Sequence, residues 1–337
     1  MADGHPGGSG GLRSHGVGVT PQAPAGEPDL LLEVVHDTTY RYAQPVAQSH
    51  HIAYLRPASD AAQVLQDFSL VVQPEPASWR DGVDSFGNAS LHFALTKPHR
   101  ELQVRAFSRV RTRPRFVLLD AAASPAWEAV RDRLRYVARA PFDAAVEFVQ
   151  PSPYVPRLDV LRAYAREAFM PGRPLAQAAI DLMRCVHGDF AYRSDSTQVD
   201  TPLAQAFEQR AGVCQDFAHV MIGACRMLGL AARYVSGYLL TCSADGVQPL
   251  VGADASHAWV QVYAPGTPGL PADGWLDLDP TNDRIPGAEH VRLAVGRDYG
   301  DVTPLRGVIR GGGQHTLAVA VTTRRLPADA SAGPVVA

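Results

Sequence analysis

A chain of 337 residues, 46% hydrophobic and 19% charged, can hold two modest domains and has the apolar content to fill their cores. A net charge of −3 argues against a protein that binds nucleic acid by neutralising phosphates. No run of about 18 apolar residues is present to span a membrane. The cysteines, Cys185, Cys214, Cys225 and Cys242, include no CxxC pair and no secretory signal precedes them, so reduced thiols in the cytoplasm are expected.

Residues 1–28, rich in Gly, Pro and Ala, read as a disordered tail. Segments 30–35 and 36–42 alternate and favour β structure, with a break expected at Asp37. Further strands are expected over 49–55, 68–73, 89–95 and 102–110, punctuated by Asp81-Gly82, Gly87-Asn88 and several prolines. Short strands at that spacing predict an all-β sandwich over residues 30–115. The arginine-rich stretch 105–115 fits it as a strand with one solvated face. Asn88-Ala89-Ser90 is a formal glycosylation sequon, which has no consequence without export.

Helices follow, expected over 126–138, over 158–169 and over 174–186, where Leu175, Ala178, Ala179, Leu182 and Val186 share a face. Phe190 and Tyr192 lie in a short extended piece, and 203–209 is a short helix. From Cys214 to Leu228 a further helix is expected, with Phe217, Ala218, Met221, Ala224, Cys225 and Leu228 on its buried face. Strands are expected over 232–240, 257–263 and 275–279, with a polar loop or weak strand over 247–254 and turns over 265–273. A short helix is expected over 290–295, closing strands over 302–308 and 315–323, and a mobile tail over 326–337.

Gly212 turns the chain just before Cys214, which places the thiol at the start of a helix. There the helix dipole and unpaired N–H groups favour a thiolate and can stabilise an oxyanion. A cysteine nucleophile needs a base and a group to orient that base. His219 lies on the same helix but about 140° around its axis from Cys214, which suits packing. His187 ends a helix and suits a cap or surface position. His257 opens a strand in which His257, Trp259, Gln261 and Tyr263 face one way, as a cleft wall would, and Ala258, Val260 and Val262 face a core. Asp277 and Asp279 fall on one face of the next strand, and periodicity does not choose between them.

Gly212-Val213-Cys214-Gln215-Asp216-Phe217-Ala218-His219, Ala232-Arg233-Tyr234-Val235-Ser236-Gly237-Tyr238, Ser256-His257-Ala258-Trp259-Val260 and Trp275 through Asp279-Pro280-Thr281 resemble the bacterial transglutaminase-like family, which shares the papain-like core. His36-Asp37-Thr38-Thr39-Tyr40-Arg41-Tyr42 and Asp84-Ser85-Phe86-Gly87-Asn88 resemble its N-terminal β-domain. His290 to Asp301, with Gly296-Arg297-Asp298-Tyr299, resembles its C-terminal segment. The resemblance implies an α+β fold: the β-sandwich, then a catalytic core over 120–325 that includes the C-terminal strands. In that core helices carry the cysteine, and an antiparallel sheet carries the histidine and aspartate. It implies Cys214 as nucleophile, His257 as base and Asp279, in preference to Asp277, as the orienting acid. Tyr238 and Trp259 are expected to pack around the site, Asp216 to support the cleft, and Gln209 or Tyr192 to supply a second oxyanion donor.

The implied chemistry is attack of the thiolate on a carboxamide of a protein or peptide substrate, such as a glutamine side chain, through a thioester. An amine then completes transglutamination; water completes deamidation or proteolysis. The competing expectations are an amidase or protease on the same scaffold and a catalytically silent protein-binding module. A zinc site from Cys214, His219 and His257 is disfavoured because His219 diverges from Cys214. No calcium loop of the EF-hand kind is present, and no cofactor is expected.

Overall fold

The computed structural model describes residues 29–241 and 256–327. The expectations for residues 1–28, for 247–254, for Cys242 and for the tail from 328 lie outside the described residues.

The N-terminal unit is built from β1 (Leu30–Ala53), β2 (Gln63–Gln73), β3 (Ser78–Val83), β4 (Ala89–Leu95) and β5 (His99–Thr112). The break expected at Asp37 is absent. Asp37 is half-exposed within a single 24-residue strand, where its carboxylate pairs across to Arg105 Nε at 2.6 Å. A cross-strand ion pair of this kind offsets the poor β preference of aspartate. Asp81-Gly82 also lies inside a strand, β3. The turn comes later, where Asp84 Oδ1 accepts the N–H groups of Phe86 and Asn88.

β1 changes neighbours midway. The last two strands, β12 (Leu305–Gly311) and β13 (His315–Leu326), pair with its second and first parts, while β4 and β5 pair with the same two parts on the other edge. The ladder with β5 is interrupted between Arg41 and Val46, around Pro45. The bend folds one continuous sheet into two layers: Val72, Val104 and Ala106 share an apolar cluster with Leu91, Phe93 and Leu305. The strands expected over 302–308 and 315–323 as part of the catalytic core thus pair with β1, although Val302 and Val321 still reach the main core cluster. With β4 and β5 on one edge only, β1 would leave a long open edge, and the returning C-terminal strands cover it.

The core unit contains α1 (Trp127–Arg133), α2 (Asp159–Arg166), α3 (Leu175–Asp189), α4 (Leu203–Gln209), α5 (Cys214–Met227) and α6 (Tyr299–Val302). Its antiparallel sheet has the order β10 (Trp275–Leu278), β9 (His257–Tyr263), β8 (Ala232–Leu239), β11 (His290–Gly296). A short parallel pair, β6 (Ala191–Tyr192) and β7 (Ala211–Gly212), precedes α5. β11 replaces the helix expected over 290–295, since it satisfies the free edge of β8. α5 is buried on every side through Arg226, enclosed by α2, α3, β8 and β9. At Gly223 it meets α2 so closely that a Cβ would lie 2.7 Å from Leu161 Cδ1.

Buried polar side chains join the two units. Asn88 accepts the Val295 N–H (2.8 Å) and donates to the Val295 carbonyl (2.7 Å), so this sequon residue is interior. Gln63 does the same for Arg292, at 2.7 and 2.8 Å. The ring of His36, whose pKa burial lowers to about 4 against the opposing charge of Asp37, meets the Tyr238 hydroxyl at 2.9 Å.

Candidate active site

The helix that presents the thiol is fastened at its first turn. Asp216 Oδ2 accepts the Val213 N–H (2.8 Å) and the Thr197 hydroxyl (2.7 Å), and Gln215 Nε2 donates to the Val199 carbonyl (3.0 Å). Asp216 thus organises the approach to Cys214. It also dictates Gly212, where a Cβ would lie 2.4 Å from Asp216 Oδ2. Cys214 is the first residue of α5 and is 9% exposed. Its own N–H and the next are among those left without an intrahelical partner, at the positive end of the dipole.

His257 opens β9 opposite Gly237 of β8. Its Nε2 donates to Asp279 Oδ2 at 2.9 Å, with both side chains fully buried. Nδ1 has no oxygen or nitrogen partner, and the Cys214 thiol is the ring's remaining hydrogen-bonding neighbour. The Cys214 sulfur lies 4.0 Å from the carbonyl of Ser256, the residue before His257. The network therefore fixes one proton on Nε2 and aims Nδ1 at the thiol, where it can hold the thiol's proton as an imidazolium beside the thiolate. Burial alone would lower the His257 pKa. The charge and hydrogen bond of Asp279, with a smaller contribution from Cys214, outweigh it and hold the imidazole up at about 10. Burial would raise the Asp279 carboxyl, but His257 and His290 outweigh that and keep it well below the usual carboxylate range.

Asp277 is committed elsewhere: it accepts from Trp259 Nε1 (3.1 Å) and lies 3.7 Å from Arg115 Nε. Alternation did not separate the two acids because the strand ends between them. β10 stops at Leu278, and Asp279 opens a turn that closes on Arg284. Asp279 Oδ1 accepts the N–H groups of Thr281 (3.0 Å) and Asn282 (3.2 Å), and Oδ2 accepts Asn282 Nδ2 (2.8 Å). His187 is exposed, as expected, and also supports this turn: its Nδ1 donates to the Thr281 carbonyl at 3.0 Å.

His219 packs as expected. Its Nε2 accepts the Tyr299 N–H (3.2 Å) between the rings of Tyr154 and Tyr234. Burial, then the charge of Arg226, lowers its pKa to about 3. Trp259 stacks on His257 with ring centroids 6.1 Å apart. The face expected to form an open cleft wall is covered, for all seven residues of β9 are buried and Trp259 clusters with Val235 and Val295 against Phe86 of the β unit. Tyr238 serves the interface to His36 and is not a wall of the site. Gln209 is exposed at the end of α4, whereas Tyr192 borders the helix start, opposite Gly212 and against the Phe217 ring.

Four further residues were not singled out from sequence. Tyr234 and Tyr299 are close enough for the Cys214 charge to add to the effect of burial in raising their hydroxyl pKa values. Asn282 and His290 reach Asp279, His290 through Nε2 at 3.2 Å. The available signal was position: Asn282 follows Asp279-Pro280-Thr281, and His290, like His257, opens a strand. His257, Asp279 and His290 are the one group among the described residues with the spacing of a metal site. Their convergence is already explained by the two Nε2–H bonds to Oδ2. Cys214, His219 and His257 do not form such a group.

Residues 32–111 match the profile of the bacterial transglutaminase-like N-terminal region, and residues 162–280 that of the transglutaminase-like superfamily. An uncharacterized protein of Mycobacterium tuberculosis (strain ATCC 25618 / H37Rv) is 39% identical over 278 residues, 82% of this chain and 86% of that protein. One of Mycobacterium leprae (strain TN) is 32% identical over 295 residues, 88% of this chain and 99% of that protein. A crystal structure of a candidate cysteine protease from Cytophaga hutchinsonii matches with a TM-score of 0.66 over 90% of this chain and 93% of that one, at 22% identity, which is a likeness of fold.

Proposed function

The chain belongs to the bacterial transglutaminase-like family, and on that footing we propose that it performs thiol-dependent acyl transfer on protein or peptide amides. Cys214 is the nucleophile, His257 the base and Asp279 the orienting acid. One observation carries this reading: the buried Asp279–His257 bond fixes the proton on Nε2 and leaves Nδ1 to the thiol at a helix start.

The steps follow from that arrangement. His257 Nδ1 takes the Cys214 proton, and the thiolate sulfur bonds to the carboxamide carbon. The carbonyl oxygen takes the negative charge, facing the first-turn N–H groups of α5. The C–N bond breaks as Nδ1–H protonates the leaving nitrogen, and ammonia or an amine departs from a thioester. A second amine, deprotonated by Nδ1, then attacks the thioester and expels the thiol. Water in its place gives deamidation or hydrolysis. A silent binding module is the weaker reading, because a fully buried His–Asp pair costs desolvation that binding alone does not require.

The test is ammonia release from glutamine-containing peptides, with and without an added primary amine. Release that depends on Cys214 and incorporates the amine supports acyl transfer; release without incorporation assigns water as acceptor. Equal turnover by Cys214→Ala would falsify the mechanism.

A further inference from the structure

Asp279 is held more firmly than its bond to His257 requires. Its Oδ2 accepts from His257 Nε2 (2.9 Å), Asn282 Nδ2 (2.8 Å) and His290 Nε2 (3.2 Å), and its Oδ1 accepts two backbone N–H groups. Apart from His257, these donors belong to the turn that carries Asp279, with one exception. His290 comes from β11, at the opposite edge of the sheet from β10. Between them lie β8 and β9, and on β8 Gly237 makes room for the Trp259 ring: a Cβ there would lie 2.3 Å from the Val291 carbonyl and 2.4 Å from that ring. The His290 ring packs edge-on against the Trp259 ring so seated, at 5.4 Å and 80°.

β11 is in turn fixed from outside the core. Thr112 Oγ1 donates to the Ala288 carbonyl (2.5 Å), Gln63 makes two bonds to the Arg292 backbone and Asn88 two to Val295. All three side chains belong to the N-terminal β unit, and all are buried. They bracket His290 along the chain, Ala288 lying just before β11 and Arg292 and Val295 within it.

We propose that His290 is a positioning residue through which the N-terminal β unit acts on the active site: the β unit fixes β11, β11 aims His290, and His290 holds Asp279 in line with His257. This rests on Cys214, His257 and Asp279 being the acyl-transfer set. A carboxylate anchored from one turn can rock with that turn; a donor on a separately clamped strand stops the rocking. The Nε2–H of His257 then keeps its direction, and Nδ1 stays aimed at the sulfur. Productive geometry of this kind tolerates only about 0.5 Å or 10–20°.

The role requires the donor and not merely the ring, and variants separate the two. The readout is the rate of Cys214 alkylation by iodoacetamide at pH 7, resolved by peptide, which needs no substrate. His290→Phe keeps the ring and loses the donor, and should slow alkylation about 10- to 100-fold. His290→Gln returns an N–H near the Nε2 position and should stay within about 3-fold of wild type. Gln63→Met, in the β unit, should slow the reaction about 3- to 10-fold alone and add nothing to His290→Phe, because both act on one element. A folded His290→Phe protein with the wild-type rate overturns the proposal, as do Gln63→Met and His290→Phe effects that multiply. If the phenylalanine variant does not fold, His290→Ala decides: recovery of its rate on adding imidazole supports the role, and no recovery overturns it. Wild-type protein whose Cys214 reacts no faster than Cys185 fails earlier, at the acyl-transfer reading itself.

Discussion

Replacing Asp279 by asparagine tests the site at its most constrained point. The carboxylate receives three donors on Oδ2 and two on Oδ1. Asparagine offers one carbonyl oxygen, so in either orientation its NH2 group faces at least two N–H donors. Hydrogen bonds to a charged group contribute about 1.5–3 kcal/mol each, so Asp279→Asn should lose about 3 kcal/mol or more. In a chain of 337 residues, with an unfolding entropy of about 2.1 cal/mol/K per residue, that lowers Tm by roughly 4 °C or more. The loss should depend on pH with a definite sign. His257 has a raised pKa, so its pairing stabilises the fold fully below its ordinary value of 6.5, and the benefit is lost as pH rises towards about 10. Asp279 has a lowered pKa, so its contribution is present above its ordinary value of 3.8 and is lost as pH falls below that. The difference between wild type and variant should therefore be largest between about pH 4 and 6.5 and shrink towards pH 10. Turnover should fall about 10⁴-fold, since the imidazole is no longer held in one tautomer. The measurements are urea unfolding from pH 4 to 10 and ammonia release at pH 7, with Asp277→Asn as comparator. That comparator keeps an acceptor for Trp259 and leaves Arg115 its bond to Asp60, so it should cost under about 1.5 kcal/mol. If Asp279→Asn melts within 2 °C of wild type, or if Asp277→Asn is the more damaging change, the assignment of roles to the two acids is refuted.

Three other outcomes follow from close contacts and burial. Gly212→Ala puts a methyl group against Asp216 and should cost about 1–3 kcal/mol while slowing Cys214 alkylation; unchanged melting and alkylation would show that Asp216 does not organise the helix start. Gly237→Ala drives into Trp259 and the Val291 carbonyl and should destabilise at least as much, read by urea unfolding, with Trp259 fluorescence shifted before unfolding begins. Cys225 is fully buried and burial pushes its thiol up to about 12, against the opposing charge of Arg226, so native protein should be alkylated at Cys214 at least about 100-fold faster; initial labelling at Cys225 would contradict the site.

Segments whose side chains follow one period were legible. The helix at Cys214 and the strand at His257 begin where the pattern places them, and Asp216 and Gly212 reinforce the helix start locally. Errors came where a partner distant in sequence made the choice. β11 is a strand because β8 offered an edge, Asp37 stays in β1 because Arg105 faces it, and the C-terminal strands join β1 because its second edge was open. The covering of the β9 cleft face by Phe86 was hidden for the same reason.

The amino-acid order by itself determined which residues can do chemistry and roughly where: a cysteine at a helix start, a histidine opening a strand, two acids one strand on. Periodicity left Asp277 and Asp279 open and the family resemblance preferred Asp279; the folded chain supplies the physical reason for that preference, in where β10 ends and on which side Trp259 and Arg115 approach. It also brought His290 to Asp279 over 11 positions of sequence, and tied β11 to Gln63 over 229. Periodicity describes how one segment faces the rest of the protein. Hydrogen bonds between separate segments are set by the packing of whole elements, and no local pattern encodes them.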